Sequence, residues 1–230
     1  MTIMGTDITS PDLAPLGRPR AVLFDWDNTL VDSWPIIHDA LHLTLTTMGH
    51  KPWTLEESKA RVRLSLRDSF PALFGTRWEE ARRIYMDAFQ SIHLERLGAL
   101  AGVVELLEHL TEAGCYLAVV SNKTGPILRR EAAHLGWTRY FARLVGATDA
   151  AADKPDPAPI HLALEGSGIA AGPEVWYVGD TAVDIECALN AGCIPVLLGP
   201  AKPEDAEFSV HRPRVAFDDC SGLFLHIRTL

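Results

Sequence analysis

The spacing of apolar residues divides the chain into short unbroken runs and longer stretches with helical periodicity. RAVLFD (20–25) is a run of the first kind, which is typical of a strand buried on both faces in a parallel sheet. After Gly102, such runs alternate with helical stretches. The later runs predict strands at 116–121, 144–147, 175–179, 194–198 and 214–217. The predicted helices between or after them lie near 126–135, 158–166, 182–191 and 221–227.

Strands that alternate with helices are joined by right-handed crossovers, and they form a parallel sheet with helices on its faces. The predicted fold class is therefore α/β, with a Rossmann-like parallel sheet as its core. From Trp34 to about Leu100 the pattern is helical throughout and predicts no strand. Apolar residues recur there at helical spacings, at Ile37, Leu41, Leu45 and Met48. A second amphipathic run covers 78–97.

These patterns predict an α/β core made of 20–32 and 100–230, interrupted by an all-helical module at 33–99. Charge supports this division, since the module carries nine Lys or Arg against eight Asp or Glu and the rest of the chain carries 12 against 22. Residues 1–19 show no periodicity and contain several Pro and Gly, so we expect a flexible tail.

The composition excludes several classes of protein. Hydrophobic residues make up 47% of the 230 residues and charged residues 22%, as in ordinary globular proteins. A net charge of −9 argues against a nucleic-acid partner, because neutralising phosphates requires a clustered basic surface. The four cysteines form no CxxC pair, so neither a disulfide framework nor a zinc site is expected.

The sequence also argues against a membrane or secreted protein. No unbroken apolar run reaches the roughly 18 residues that a membrane-spanning helix requires. The first twenty residues contain Asp7, Asp12 and three prolines where a signal peptide would need an apolar stretch. We therefore expect a cytoplasmic protein without a membrane partner.

Polar residues follow the predicted strands at the edge where ligands bind to an open parallel sheet. The candidates at this edge are Asp25, Asp27, Thr29, Ser121, Asn122, Lys154, Asp180 and Asp184. Each alone has an ordinary explanation as a turn, helix-cap or surface residue. Together, on four separate segments, they predict one site. Two carboxylates as close as Asp25 and Asp27 also favour a site that holds positive charge.

The motifs DxDxT at 25–29, Ser121, Lys154 and GDxxxD at 179–184 resemble those of haloacid dehalogenase (HAD)-like hydrolases, and in particular phosphoglycolate phosphatase-like members. The helical module at 33–99 resembles the small helical cap of that superfamily. Two features depart from the usual pattern. Trp26 stands where a smaller aliphatic residue or Phe is more usual, and Ala101-Gly102 replaces Pro-Gly at the return from the cap.

The resemblance implies an Mg²⁺-dependent phosphatase that forms an aspartyl-phosphate. Asp25 would be the nucleophile and Asp27 the general acid and base. Mg²⁺ would be held by Asp25, the backbone carbonyl of Asp27 and Asp180, with Asp184 orienting a water ligand. A hard cation and a lysine are needed because a carboxylate attacking a phosphate dianion is otherwise repelled. The residues expected to bind the phosphoryl group are Thr29, Ser121, Asn122 and Lys154.

The cap is expected to close over the site and to select the substrate. Arg63 and Arg67 lie four residues apart on a probable helix, with Arg61 nearby, and could bind a second anionic group of the substrate. The commoner explanation is a solvated basic helix face, because long charged side chains on helices are mostly exposed.

Three functions remain open at the level of sequence. The first is hydrolysis of a small phosphorylated metabolite similar to 2-phosphoglycolate. The second is a phosphomutase of the same superfamily, similar to β-phosphoglucomutase, and the third is a non-catalytic phosphate-binding regulatory protein. Asp27 argues for phosphoryl chemistry, because neither a dehalogenase nor a pure binder needs a proton donor there. The protein is expected to be a monomer or a homodimer.

Overall fold

The structure is a computed structural model that describes residues 6–7, 16–62 and 66–230. The chain forms two compact units. One is Val31–Gly98, and the other comprises the residues that precede and follow this segment. Among the described residues, no helix combines the length and the apolar character needed to cross a membrane.

The six predicted strands form in the predicted order, and the described residues contain three further two-residue strands. The strands are β1 (Thr6–Asp7), β2 (Ala21–Phe24), β3 (Val31–Asp32), β4 (Gly98–Ala99), β5 (Tyr116–Thr124), β6 (Arg143–Ala147), β7 (Val175–Gly179), β8 (Ile194–Leu198) and β9 (Val215–Phe217). Seven of them form one sheet in the order β1-β9-β8-β7-β2-β5-β6, while β3 pairs with β4. Only β1 is antiparallel to its neighbour within the larger sheet as described.

Helices lie between or after most of the strands. They are α1 (Trp34–Thr47), α2 (Leu55–Arg61), α3 (Leu66–Phe74), α4 (Trp78–Arg96), α5 (Val103–Glu112), α6 (Gly125–His134), α7 (Ala158–Leu164), α8 (Ala182–Asn190) and α9 (Cys220–Ile227). The first four belong to the unit Val31–Gly98, in which α1 packs against α4. The predicted α/β fold with a parallel sheet is therefore confirmed.

The centre of the sheet brings three segments of the chain to a common edge. All four residues of β2 are fully buried, and this strand lies between β5 and β7. Phe24 is in register with Val119 of β5 and with Val178 of β7. The residues that follow Phe24 and Val178 therefore lie side by side at the carboxyl edge.

Three sequence predictions differ from the structure. The stretch from Trp34 to about Leu100, predicted to contain no strand, ends in β4, because this two-residue segment pairs with β3. The strand expected at 116–121 continues to Thr124, because its pairing with β6 resumes at Thr124 and Ala147 after a register irregularity. Ser121 and Asn122 therefore lie in the last part of β5 rather than after it. The predicted tail, residues 1–19, lies largely outside the described residues, although its Thr6–Asp7 segment pairs with β9.

Candidate active site

Two neighbouring strands place carboxylates together at the carboxyl edge of the sheet. Asp25 follows β2, and its backbone N–H donates to the carbonyl of Val178 at 2.8 Å. Asp180 directly follows β7, and Asp184 lies in the first turn of α8. One carboxylate oxygen from each of Asp25, Asp180 and Asp184 lies within 4.8 Å of the others. The three acids whose side chains the sequence assigned to the metal site, Asp184 by way of a water ligand, are thus brought together.

Lys154 supplies positive charge inside this cluster. Its Nζ lies 2.6 Å from Asp25 Oδ1 and 2.7 Å from Asp184 Oδ1. The side chain is almost completely buried, as are those of its two partners. Lys154 therefore joins the loop before α7 to the end of β2 and to the first turn of α8.

Asn122 holds the Lys154 backbone in place. The Lys154 N–H donates to Asn122 Oδ1 at 2.9 Å, and Asn122 Nδ2 donates to the Lys154 carbonyl at 3.1 Å. This reciprocal pair connects the irregular end of β5 to the lysine loop. Asn122 thus has a positioning role, while its contact with a phosphoryl group stays a prediction.

Asp184 is held by donors from its own helix terminus and from the sheet. Its Oδ2 accepts hydrogen bonds from the Thr181 N–H at 3.0 Å and from Thr181 Oγ1 at 2.7 Å. The Tyr177 hydroxyl lies 3.3 Å from Asp184 Oδ1 and 2.8 Å from the Val120 carbonyl. The Asp184 carboxyl group is therefore held in a fixed position within the cluster.

Gly179 has no side chain, and the Asp184 side chain occupies the space where one would lie. A Cβ at position 179 would lie 2.3 Å from both Cβ and Cγ of Asp184, far inside contact distance. We expect Gly179→Ala to displace Asp184 and to lower kcat/KM about 10 to 100-fold, because small misplacements in an active site are costly. Steady-state kinetics on the folded variant would test this. An unchanged kcat/KM would show that the position of Asp184 does not matter.

The two predicted hydroxyl ligands make contacts within the protein. Thr29 Oγ1 is buried and donates to Asp180 Oδ1 at 3.2 Å, so it orients that carboxylate. Ser121 Oγ accepts a hydrogen bond from the Lys123 N–H at 3.2 Å and is almost fully buried. Their predicted contacts with a phosphoryl group stay predictions.

Asp27 lies in a separate ionic contact. Its Oδ1 is 2.7 Å from Nζ of Lys123, and the same Nζ is 2.7 Å from Oε2 of Glu131. Asn28, which follows Asp27, has φ +63°, a left-handed conformation that Asn tolerates better than most residues. The two carboxylates of the DxD motif therefore have different lysine partners.

The electrostatics of the cluster favour a bound cation. Burial raises the pKa of Asp25 to about 6; Lys154 opposes this rise, and the charges of Asp184 and Asp27 reinforce it. Burial, together with Asp184 and Asp25, also raises the pKa of Asp180 well above its ordinary value. For Lys154, burial opposes the charged form, but Asp184 and Asp25 outweigh it and hold the pKa well above the usual range. Three acids around one lysine leave an excess of negative charge.

The donor set suits Mg²⁺. This ion prefers oxygen ligands and is usually held by one or two carboxylates with several waters. Asp25 and Asp180 offer such oxygens at the edge of the sheet, and neighbouring Asp184 is engaged by Lys154 and Thr181. The residues present therefore fit the expected cation.

Arg67 lies within α3, but its side chain is outside the described part of the chain, as is the whole of Arg63. Arg61 stacks over the Trp53 ring at 4.8 Å and pairs with Glu57, with about half of its side chain exposed. A contact between Arg67 and the substrate stays a prediction.

Sequence reasoning missed Lys123, Glu131 and Tyr177. One signal was available for Glu131, because it shares the helix face of Ile127 and Leu128, where an apolar residue is expected. Tyr177 likewise places a hydroxyl in the otherwise apolar run VWYVG. A polar group in a buried face needs a partner, so both positions pointed to tertiary contacts.

Comparisons with known proteins show which proteins this chain is similar to. The profile of the family described as "Haloacid dehalogenase-like hydrolase" matches residues 22–197. The chain is 34% identical over 178 residues to the phosphoglycolate phosphatase of Xanthomonas campestris pv. campestris (strain 8004). The aligned region covers 76% of this chain and 80% of that protein.

Two solved structures share the fold. A HAD-superfamily hydrolase from Ehrlichia chaffeensis is 30% identical with a TM-score of 0.65, over 94% of this chain and 99% of its own. A haloacid dehalogenase-like family hydrolase from Streptococcus pneumoniae is 22% identical with a TM-score of 0.80, over 91% and 98%. At that identity, the second likeness concerns the fold alone.

Proposed function

This chain belongs to the haloacid dehalogenase-like hydrolase family and is a phosphatase, as its motifs predicted, and we propose that it hydrolyses a small phosphate monoester of the 2-phosphoglycolate type with Mg²⁺ as cofactor. The name of the Xanthomonas relative supports this substrate class. The cytoplasm is the proposed location. The observation that carries the proposal is that the two DxD carboxylates have separate partners. Asp25 pairs with Lys154, and Asp27 pairs with Lys123.

Asp25 is the proposed nucleophile. Its carboxylate attacks phosphorus, the bond from phosphorus to the ester oxygen breaks, and an aspartyl-phosphate forms. Lys154 offsets the charge of Asp25 and of the transferring phosphoryl group, since its Nζ lies 2.6 Å from Asp25 Oδ1. Asp180 and Asp25 would hold Mg²⁺, which when bound neutralises negative charge on the phosphoryl oxygens.

Asp27 is the proposed proton carrier. It gives its proton to the leaving alkoxide and later takes a proton from the water that attacks the aspartyl-phosphate. A residue with this task must stay apart from the nucleophile. Its own lysine, Lys123, keeps it in a different ionic setting from Asp25. Two carboxylates in distinct environments are a recurring way of dividing such roles.

We expect the purified protein to release inorganic phosphate from 2-phosphoglycolate in the presence of Mg²⁺. Removal of Mg²⁺ with EDTA should lower the rate by about 1,000-fold, because charge around the phosphoryl group is then not neutralised. The measurement is a phosphate-release assay over a panel of phosphorylated metabolites, with Mg²⁺ added back as the control.

The same panel separates the alternatives. Conversion of β-glucose 1-phosphate to an isomeric phosphosugar, without phosphate release from any ester, would replace the proposal by a phosphomutase. Binding of inorganic phosphate without turnover of any ester would indicate a regulatory protein. An unchanged rate in EDTA after exhaustive removal of divalent ions would contradict the proposed cofactor.

A further inference from the structure

A buried polar network lies next to Asp27 and is absent from the mechanism described so far. Lys123 Nζ bridges Asp27 Oδ1 and Glu131 Oε2, each at 2.7 Å. The Trp26 Nε1–H donates to the same Glu131 Oε2 at 2.7 Å. Trp26 and Asp27 are adjacent in the chain, so both ends of the network lie in the DxDxT motif.

The network is built into the core. The side chain of Glu131 is 0% exposed and that of Lys123 is 6% exposed. Trp26 is also fully buried and packs edge-on against Trp137, with ring centroids 5.7 Å apart. A buried carboxylate and ammonium lose much hydration free energy, and apolar residues of similar volume often stabilise a fold at least as well. Stability alone therefore gives a weak reason for this arrangement.

Backbone packing sets the direction from which Glu131 approaches. A Cβ at Gly146 of β6 would lie 2.4 Å from the Gly125 Cα, so the first residue of α6 rests directly on the neighbouring strand. Glu131 lies two turns further along this helix, on its buried face. The helix is thus held where its carboxylate meets Lys123.

We propose that Lys123 is a positioning residue for the Asp27 carboxylate, with Glu131 and Trp26 holding the lysine in place. This inference rests on the proposed function, in which Asp27 moves the proton. Nζ of Lys123 fixes one oxygen of Asp27, and Glu131 together with the indole N–H limits where that Nζ can lie. The proposed role also explains why Trp26 stands where an aliphatic residue or Phe is more usual, because of these side chains only the indole of Trp carries an N–H that can bind Glu131.

The proton step makes this role measurable. When an alkyl ester such as 2-phosphoglycolate is cleaved, the bond from phosphorus to oxygen breaks and the oxygen takes the proton of Asp27. The nitrophenolate that leaves an aryl ester is stable without a proton. Misplacement of Asp27 should therefore slow phosphoryl transfer from the alkyl ester and spare the aryl ester.

The test is Lys123→Met compared with wild type on 2-phosphoglycolate and on p-nitrophenyl phosphate, both with Mg²⁺. For 2-phosphoglycolate we expect kcat to fall about 100-fold with little change in KM, which is the size of a general-acid contribution. For the aryl ester, kcat/KM should stay within about threefold. A burst of nitrophenolate should precede slow turnover, because Asp27 also takes the proton of the water that hydrolyses the aspartyl-phosphate.

Lys202→Met, which removes an exposed lysine paired with Asp218, is the matched control and should leave kcat and KM for both esters unchanged.

Trp26→Phe is the milder second variant, in case Lys123→Met does not fold. It keeps an aromatic ring but removes the hydrogen bond to Glu131 and part of the buried indole ring. We expect the same preference for the aryl ester, at about a tenfold loss on the alkyl ester. Equal losses of kcat/KM on both esters in the folded variants, or no loss of kcat/KM on either ester, would overturn the inference. A wild-type protein inactive on both esters would instead contradict the proposed function.

Discussion

Asp25→Asn should lower phosphate release by about 10,000-fold or more, because an amide cannot form the aspartyl-phosphate that divides the reaction into two easier steps. The measurement is steady-state phosphate release from 2-phosphoglycolate and p-nitrophenyl phosphate with Mg²⁺. Both esters should be affected alike, unlike in Lys123→Met, because phosphoryl transfer to Asp25 is required whichever group leaves. Turnover within tenfold of wild type by the folded variant would refute the assigned nucleophile.

The same variant should be more stable than wild type in the absence of metal, at pH values above 6. In the folded protein, burial raises the pKa of Asp25 from 3.8 to about 6. A raised pKa means that the folded state binds this proton more tightly than the unfolded state, so ionisation destabilises the fold as pH rises from about 4 to 6. Asn resembles the protonated acid and avoids that loss, which is on the order of 2 to 3 kcal/mol.

Thermal unfolding in chelator at several pH values tests this expectation. The difference in Tm between Asp25→Asn and wild type should be small near pH 4 and should grow to several degrees at pH 7. Added Mg²⁺ should then stabilise wild type more than the variant. Glu174→Gln is a suitable control. This exposed acid pairs with Arg20, and the two residues directly precede β7 and β2, at the edge of the sheet opposite the candidate site. A Tm difference that does not change with pH would contradict the ionic explanation.

Lys154→Met should reduce both activity and stability. Its ammonium lies 2.6 Å from Asp25 and 2.7 Å from Asp184, and without it these buried carboxylates face each other with no lysine between them. Breaking a buried pair by removing one partner typically costs about 3 to 5 kcal/mol. We also expect kcat/KM to fall about 1,000-fold, since the charge that offsets the transferring phosphoryl group is lost.

Kinetics and chemical denaturation of the same sample measure the two effects. Mg²⁺ should recover part of the stability, because a cation offsets the carboxylates that Lys154 no longer pairs, but it should not recover the rate. Lys202→Met again serves as the control for removal of a lysine. A Lys154→Met protein with near wild-type kcat/KM would show that Lys154 is a structural residue only.

Much of the fold could be predicted from local pattern. The runs VLF in β2 and VWYVG in β7 are apolar throughout, so they predict strands that are buried on both faces of the sheet. The candidate acids were identified for the same reason, because Asp25 and Asp180 directly follow those runs. The sequence predicts the end of β5 three residues too early, because SNKT carries no apolar signal and continues the strand only by pairing with β6.

By itself, the sequence determined which segments become strands and helices and which polar side chains stand at their ends, because burial and turn preferences act on neighbouring residues. The tertiary structure decided which of those side chains meet. Lys123 contacts Asp27 across 96 positions, and Lys154 contacts Asp25 across 129, since crossovers place β2 between β5 and β7. Periodicity carries no information about such pairings, which follow from the order of strands in the sheet and from the requirement that every buried charge find a partner.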